Sequence, residues 1–394
     1  MTIENRDYYC SYKFKYLRID LVSNKTSNCH AAKAHPIDFA WLEQNPGQLF
    51  NTDVNVSERH MMLLNQRNAS CEQNCWSLED KRAVSPRLWQ HGPIKTHTDV
   101  HIQPEILEIK LNDDCNLSCS YCCKDYSSAW RRELVEHGDY NVDTGDKRFR
   151  LTQYDKIMMN VSQPEIKRTR KFQTLMSEIK SFSHNLKEIV VTGGEPLLDN
   201  QLFDVLDSVS NSSAVINIYT GLGVELQRFQ RMVNKIKQNP NAMISISAEC
   251  TDKFYEFNRY GNTWHEFLSR VEIVKSSGIN FRFSTAITNL TIFNLPTFIR
   301  HFIDQRIGLE FANNPYMMAP YVLDVDSKKM ILQDIQSLPE HYRTQIAQSI
   351  QADPSETQRQ QMSEFLKEYV ARRNLDVSIY PKSFLEWLDI HVVQ

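Results

Sequence analysis

The sequence predicts an α/β fold of repeated strand–helix units, on three observations. Six short apolar segments, 105–111, 187–192, 214–220, 242–249, 281–288 and 307–311, have the length and β-branched content of strands. Stretches of helical periodicity run between them, clearest at about 224–238, 264–276 and 294–301. Eight of the nine cysteines crowd into the front of the chain, with only Cys250 apart. Strands that alternate with helices pair in parallel through right-handed crossovers, here in a sheet that is open or partly closed. Closure as an eight-unit barrel is not supported.

The ends of the chain read differently. Residues 1–100 form a small cysteine-rich α+β domain: 16–21 alternate like a strand, 23–28 are a turn cluster before Cys29, and 57–64 are helical, ahead of Cys71 and Cys75. Together with Cys10, these four cysteines suffice for a closed, all-thiolate site. Zinc and a metal-free fold are the alternatives. Residues 101–325 hold the strand–helix units, with a polar, charged insertion at about 138–170 that includes Lys147, Arg148, Arg150 and the run 167–171. It reads either as a substrate contact or as a solvated loop and helix face. Residues 326–394 are polar, helical and free of cysteine.

Composition narrows the class. At 394 residues, 41% hydrophobic and 24% charged, the chain suits one barrel-sized domain plus one small one. A net charge of −3 argues for neither nucleic acid nor a membrane surface as partner. The start is polar, unlike a signal peptide, and no stretch reaches the roughly 18 apolar residues of a membrane span. A cytoplasmic location follows as the expectation, where thiols stay reduced and clustered cysteines read as metal ligands rather than disulfides.

Two motifs carry the chemistry. Cys115-Asn-Leu-Ser-Cys119-Ser-Tyr-Cys122 follows the strand at 105–111 and the polar Asn112-Asp-Asp114. In a loop, three thiolates at these spacings bind three irons of a 4Fe–4S cube and leave the fourth iron open. A structural zinc would need a fourth Cys or His, and the adjacent Cys123 is poorly placed to turn onto the same centre. Cys123 reads instead as structural. The second motif, Gly193-Gly194-Glu195-Pro196, ends the strand at 187–192. Its glycines leave backbone groups open to a ligand, and Glu195 can accept from an amine.

Cysteine triad, then strand, then Gly-Gly-Glu-Pro resembles the radical S-adenosylmethionine (SAM) superfamily in motif, order and separation. That resemblance implies a partial (β/α)6 barrel resembling three quarters of a TIM barrel. It implies a 4Fe–4S cluster on Cys115, Cys119 and Cys122, with SAM chelated at the open iron. One electron, from a donor such as flavodoxin or ferredoxin, then cleaves SAM to methionine and a 5′-deoxyadenosyl radical, which abstracts hydrogen from a substrate. Tyr121 is placed to stack on adenine, while Gly193, Gly194 and Glu195 would receive the methionine amine. Ser247 and Arg259 match the family's ribose and carboxylate contacts, and Ser245 shares the strand face of Ser247; ordinary core serines and a surface arginine are the plain alternatives. The N-terminal cysteines resemble the SPASM/twitch-type domain that carries an auxiliary 4Fe–4S cluster. They differ in the three-residue gap between Cys71 and Cys75 and in Ser11-Tyr-Lys13, where relatives have proline and an aromatic. Ser127-Ser-Ala-Trp130 recurs in the same relatives.

Cys250 lies just past the fourth strand, where a thiol would return hydrogen to a substrate radical; a small buried cysteine is the plainer reading. The expected function is radical modification of a peptide or protein side chain. The alternatives are the same chemistry on a small metabolite (an amino acid, sugar or nucleotide) and a non-catalytic iron–sulfur carrier. The carrier reading leaves Gly-Gly-Glu-Pro unexplained.

Overall fold

The computed structural model describes residues 8–81, 85–90, 97–145, 147–153, 155 and 169–391. The chain folds as two compact units. The first takes Met1–Asn112, Ser162–Ile218 and Gln238–Ala242; the second takes Asp113–Val161, Tyr219–Lys237 and Met243–Gln394.

In the first unit, β1 (Tyr16–Asp20), β2 (Lys25–Ser27) and β3 (His35–Pro36) form an antiparallel meander. The far side of β1 pairs in parallel with β4 (Ile106–Lys110), which pairs with β5 (Glu188–Thr192), and β5 with β6 (Val215–Thr220). The strand order is therefore β3-β2-β1-β4-β5-β6. Register explains why β1 joins. Leu17, Leu107, Ile189 and Ile216 form one buried row across four strands, and Ile19, Ile109, Val191 and Ile218 form the next. Alternation puts these residues on one face and Arg18, Glu108 and Asn217 on the other. The sequence expectation set residues 1–100 apart; the observed unit instead runs β1 into the sheet that begins with β4, because the two apolar rows continue across the join.

Side chains tie the rest of the first unit to this sheet. Thr52 caps the helix Asp53–Leu63 through Asn55 N. On that helix Arg59 is fully buried, donating to the carbonyls of Val100 and Phe50 and to Asn51 Oδ1. On the helix Arg170–Phe182, the buried Glu178 carboxylate accepts from the amides of Gly47 at 2.7 Å and Leu49 at 3.0 Å.

The second unit holds the parallel strands β7 (Ala242–Ser247), β8 (Asn280–Ile287) and β9 (Ile307–Phe311). With β4 to β6 they complete the six expected strand–helix units of the α/β core. The helix Trp264–Ser277 opens on a Thr263–Glu266 capping box and stops at Gly278, whose φ of 77° suits glycine. The expected C-terminal helices are Val325–Asp334, Glu340–Ser349, Glu356–Arg373 and Lys382–Trp387. The front of the insertion is largely exposed but anchored: Tyr140, Val142 and Phe149 are buried, and Tyr140 and Phe149 join Trp130, Phe365 and Tyr369 in one aromatic cluster. Its basic residues Lys167 and Arg168 lie outside the described residues.

Glu178→Ala leaves the buried Leu49 amide and the half-buried Gly47 amide without their acceptor and should destabilise the protein by about 2 kcal/mol, read as a lower urea midpoint. Glu178→Gln, which keeps one acceptor oxygen, should cost less.

Candidate active site and four-cysteine site

The cysteine loop leaves β4 without regular structure, so partners elsewhere in the second unit satisfy its backbone. Ser127 caps the helix Ser128–His137, its hydroxyl accepting from Trp130 N and donating to Leu117 O at 2.6 Å. Trp130 Nε1 donates to Cys119 O at 3.0 Å, and Tyr369 OH to Ser118 O at 3.2 Å. The amides of Ser118 and Ser120 reach Tyr260 O and Asn258 O. Cys115 N donates to Ser128 Oγ at 3.2 Å, and Arg131 bridges Asp113 and Lys124 O. Ser127 to Trp130 thus hold the loop that precedes them. Cys119 is buried, while Cys115 and Cys122 are half-buried. Burial raises the Cys122 thiol well above its ordinary pKa, and Cys123, Cys119 and Cys115 add to the shift.

Beside the loop lies a buried polar group. Tyr121 OH donates to both oxygens of Glu249 at 3.1 Å, and Arg259 Nη2 pairs with Glu249 Oε2 at 2.9 Å. The guanidinium stands 5.7 Å from the Tyr121 ring centre. Burial disfavours the charge on Arg259, but Glu249 and then Tyr121 hold its pKa well above the usual value. Arg259 Nε is buried without a hydrogen-bond partner. Arg259 is therefore a core residue and not the surface arginine of the plain alternative.

Other sequence candidates are spread along β7. The strand stops at Ser247, so Glu249 leaves its alternation and turns toward Tyr121. Ser245 is fully buried and accepts from Arg282 Nε at 2.9 Å; Ser247 lies opposite Ser284 in register. Cys250 is fully buried, its thiol donating to Thr291 O at 3.5 Å, with burial raising its pKa far up. Sequence reasoning missed the polar face these strands share. Arg282 also donates to Tyr219 OH at 3.0 Å, and Ser284 to Glu310 Oε1 at 2.8 Å. Period-two spacing of Arg282 with Ser284 was the available signal. A cavity of about 510 Å³ adjoins the loop, lined by Tyr121, Cys122 and Asp125 and by Lys147 and Arg148 of the insertion.

Gly193, Gly194 and Glu195 belong to the first unit. The Gly194 amide is not open as expected: it donates to Asn112 O at 2.9 Å. Gly193 has φ of 155°, and a Cβ there would meet the same carbonyl at 2.7 Å. Close approach of Asn112 is thus one structural reason for glycine. Glu195, also buried, accepts from Leu197 N at 3.1 Å.

Cys10, Cys29, Cys71 and Cys75 are all buried in the first unit, three of them in one cluster with Tyr9, Phe14, Met62 and Trp76. Burial pushes Cys29 up to about 12 and Cys75 up to about 11, and Cys71 and Cys10 contribute to both shifts. The four thiols are therefore electrostatic neighbours. Among the described residues no three His, Cys, Asp or Glu side chains gather as a single ion requires. Zinc draws every sulfur to about 2.3 Å from one centre. A cube takes each thiolate to a different iron and holds them wider apart.

Residues 109–301, from β4 to the end of the helix Leu295–His301, match the family model of the Radical SAM superfamily. Over those residues, just under half of its length, the chain is similar to that superfamily. Radical SAM proteins work with a 4Fe–4S cluster and SAM. The radical SAM match takes in the cysteine loop, Gly-Gly-Glu-Pro, Glu249 and Arg259, and leaves the four N-terminal cysteines and the C-terminal helices outside. No curated protein matches the sequence. Among solved structures, the chain is similar to anSMEcpe with bound AdoMet at 14% identity and a TM-score of 0.38, covering 59% of each chain. It is similar to Streptococcus suis SuiB bound to S-adenosylmethionine at 12% identity and a TM-score of 0.34, covering 84% of this chain and 67% of that one. The chain thus spans less than two thirds of anSMEcpe, and the family assignment rests on the family model.

Arg259→Met would leave Glu249 as a buried, uncompensated charge and should cost about 3–5 kcal/mol in a denaturation experiment. Adding Glu249→Gln should recover most of the loss. A single variant as stable as wild type would show that the pair is not buried as described.

Proposed function

We propose that this chain is a radical SAM enzyme that cleaves SAM reductively and modifies a peptide or protein side chain. In this reading Cys115, Cys119 and Cys122 hold the SAM-binding 4Fe–4S cluster. The observation that carries it is a three-cysteine loop, clamped from outside its own backbone, within a segment that matches the radical SAM family. The donor set fits: three soft thiols share one loop. When bound, the cluster and SAM supply a 5′-deoxyadenosyl radical for hydrogen abstraction.

The protein's own residues bind and orient. Tyr121 offers a ring fixed by Glu249 and set near Arg259, against which adenine would stack. Arg259 keeps a buried Nε free for a ligand carboxylate. Ser245 and Ser247 are polar contacts of the same strand, and Gly193, Gly194 and Glu195 receive the amine. Cys250 keeps its buried thiol on Thr291 O, a contact it would have to give up to return hydrogen to a substrate radical. Lys147 and Arg148 at the cavity beside Cys122 favour a substrate with acidic or carbonyl groups, as a peptide offers. A flavodoxin or ferredoxin would supply the electron. The N-terminal cysteines would carry an auxiliary 4Fe–4S cluster, in a segment of about 1–100 whose β1 joins the sheet that begins with β4, ahead of a barrel at 101–325 and an extension at 326–394. A cytoplasmic setting agrees with the free thiols; no described helix is long and apolar enough to cross a membrane.

Anaerobic reconstitution tests this reading. Wild type should hold roughly eight irons and release 5′-deoxyadenosine from SAM under reduction, and the Cys115/Cys119/Cys122 triple alanine variant about four irons and no 5′-deoxyadenosine. Unchanged SAM cleavage in the variant would sink the proposal. Four irons falling to none would remove only the auxiliary cluster.

A further inference from the structure

Lys13 is fully buried, although lysine almost never is without a strong reason. Its ammonium donates to Asn28 Oδ1 at 2.8 Å and Ser70 Oγ at 2.8 Å, and pairs with Glu58 at 2.5 Å. Asn28 and Ser70 immediately precede Cys29 and Cys71, and Lys13 N donates to the carbonyl of Cys10 at 3.3 Å. One residue thus joins three of the four cysteine-bearing segments. Ser70 Oγ is itself 3.9 Å from Cys71 Sγ, which sets the ammonium beside that sulfur. Glu58 balances one unit of charge, from the helix Asp53–Leu63.

We infer that Lys13 is the positioning residue of the four-cysteine site: it pins the segments of Cys10, Cys29 and Cys71 and turns a buried positive charge toward the sulfurs. This rests on the proposed auxiliary cluster at those cysteines. Burying an ammonium costs several kcal/mol unless negative groups surround it, and a thiolate-ligated cluster supplies negative charge where Glu58 alone gives a single carboxylate. Charge and hydrogen bonds at the sulfurs are among the factors that set a cluster's potential. A cation beside them stabilises the reduced, more negative form. Lys13 therefore makes the N-terminal cluster easier to reduce. The sequence hides this role, because Ser11-Tyr12-Lys13 shows only that a proline and an aromatic are missing.

The test is an EPR-monitored redox titration of the anaerobically reconstituted full chain. Wild type is compared with Lys13→Met and with Lys13→Met/Glu58→Leu, which removes both charges and leaves no unpaired carboxylate. In Lys13→Met the N-terminal cluster should titrate at a more negative potential, and in the double variant at a potential shifted the same way but less far, because the opposing Glu58 charge is gone too, with the Cys115/Cys119/Cys122 cluster unmoved. Loss of the N-terminal irons from a variant whose melting temperature matches wild type would also support pinning. A variant that keeps its irons at an unchanged potential would overturn the inference. A Cys10/Cys29/Cys71/Cys75 quadruple alanine variant separates the two failures: if it retains every iron of wild type, the auxiliary-cluster reading itself is wrong.

Discussion

The cysteine loop cannot satisfy its own backbone, and much of the second unit exists to do so for it. The loop carries neither helix nor strand, and buried amides and carbonyls without partners each cost about 1–3 kcal/mol. Ser127 and Trp130 reach back from the next helix, Asn258 and Tyr260 meet the loop from behind Arg259, and Tyr369 reaches it from the C-terminal helix. The aromatic cluster of Trp130, Tyr140, Phe149, Phe365 and Tyr369 fixes where those donors stand. The C-terminal extension is thus part of the loop's support, although it brings no cysteine.

Two buried ion pairs stand beside the two cysteine groups, and they are arranged alike. Arg259–Glu249 lies near Cys119, and Lys13–Glu58 near Cys71. In each, the cation adds to the charge felt by a thiol while the carboxylate holds the cation in place. A buried pair of this kind contributes little net stability compared with apolar packing. Such pairs make sense where a negative group must also be accommodated, as the proposed thiolate ligands would require.

Most of the fold was legible because each strand announces itself by its own residues. The β-branched run at 214–220 differs from the observed strand by one residue at one end, and the run at 281–288 by one residue at each end. The joining of β1 to β4 was not legible, since a one-face apolar alternation such as Leu17 and Ile19 does not say which strand it will lie beside. The cysteine triad and Gly-Gly-Glu-Pro were legible as spacing alone. Partnerships across distance were not: nothing in the sequence couples Tyr121 to Glu249, 128 positions away, or Lys13 to Ser70, 57 positions away. Charged residues read as surface by default, so Arg259 and Lys13 look ordinary until their burial is seen.

The four-strand rows running from Leu17 to Ile216 and from Ile19 to Ile218 bear on how this chain can be cut. Removing everything before residue 101 would take away β1 and leave β4 as a bare sheet edge, with unpaired backbone along one side and two apolar rows ending in solvent. Exposed edges of this kind recruit other strands. A minimal fragment that begins at residue 101 would therefore be a candidate for aggregation, whatever its cluster chemistry.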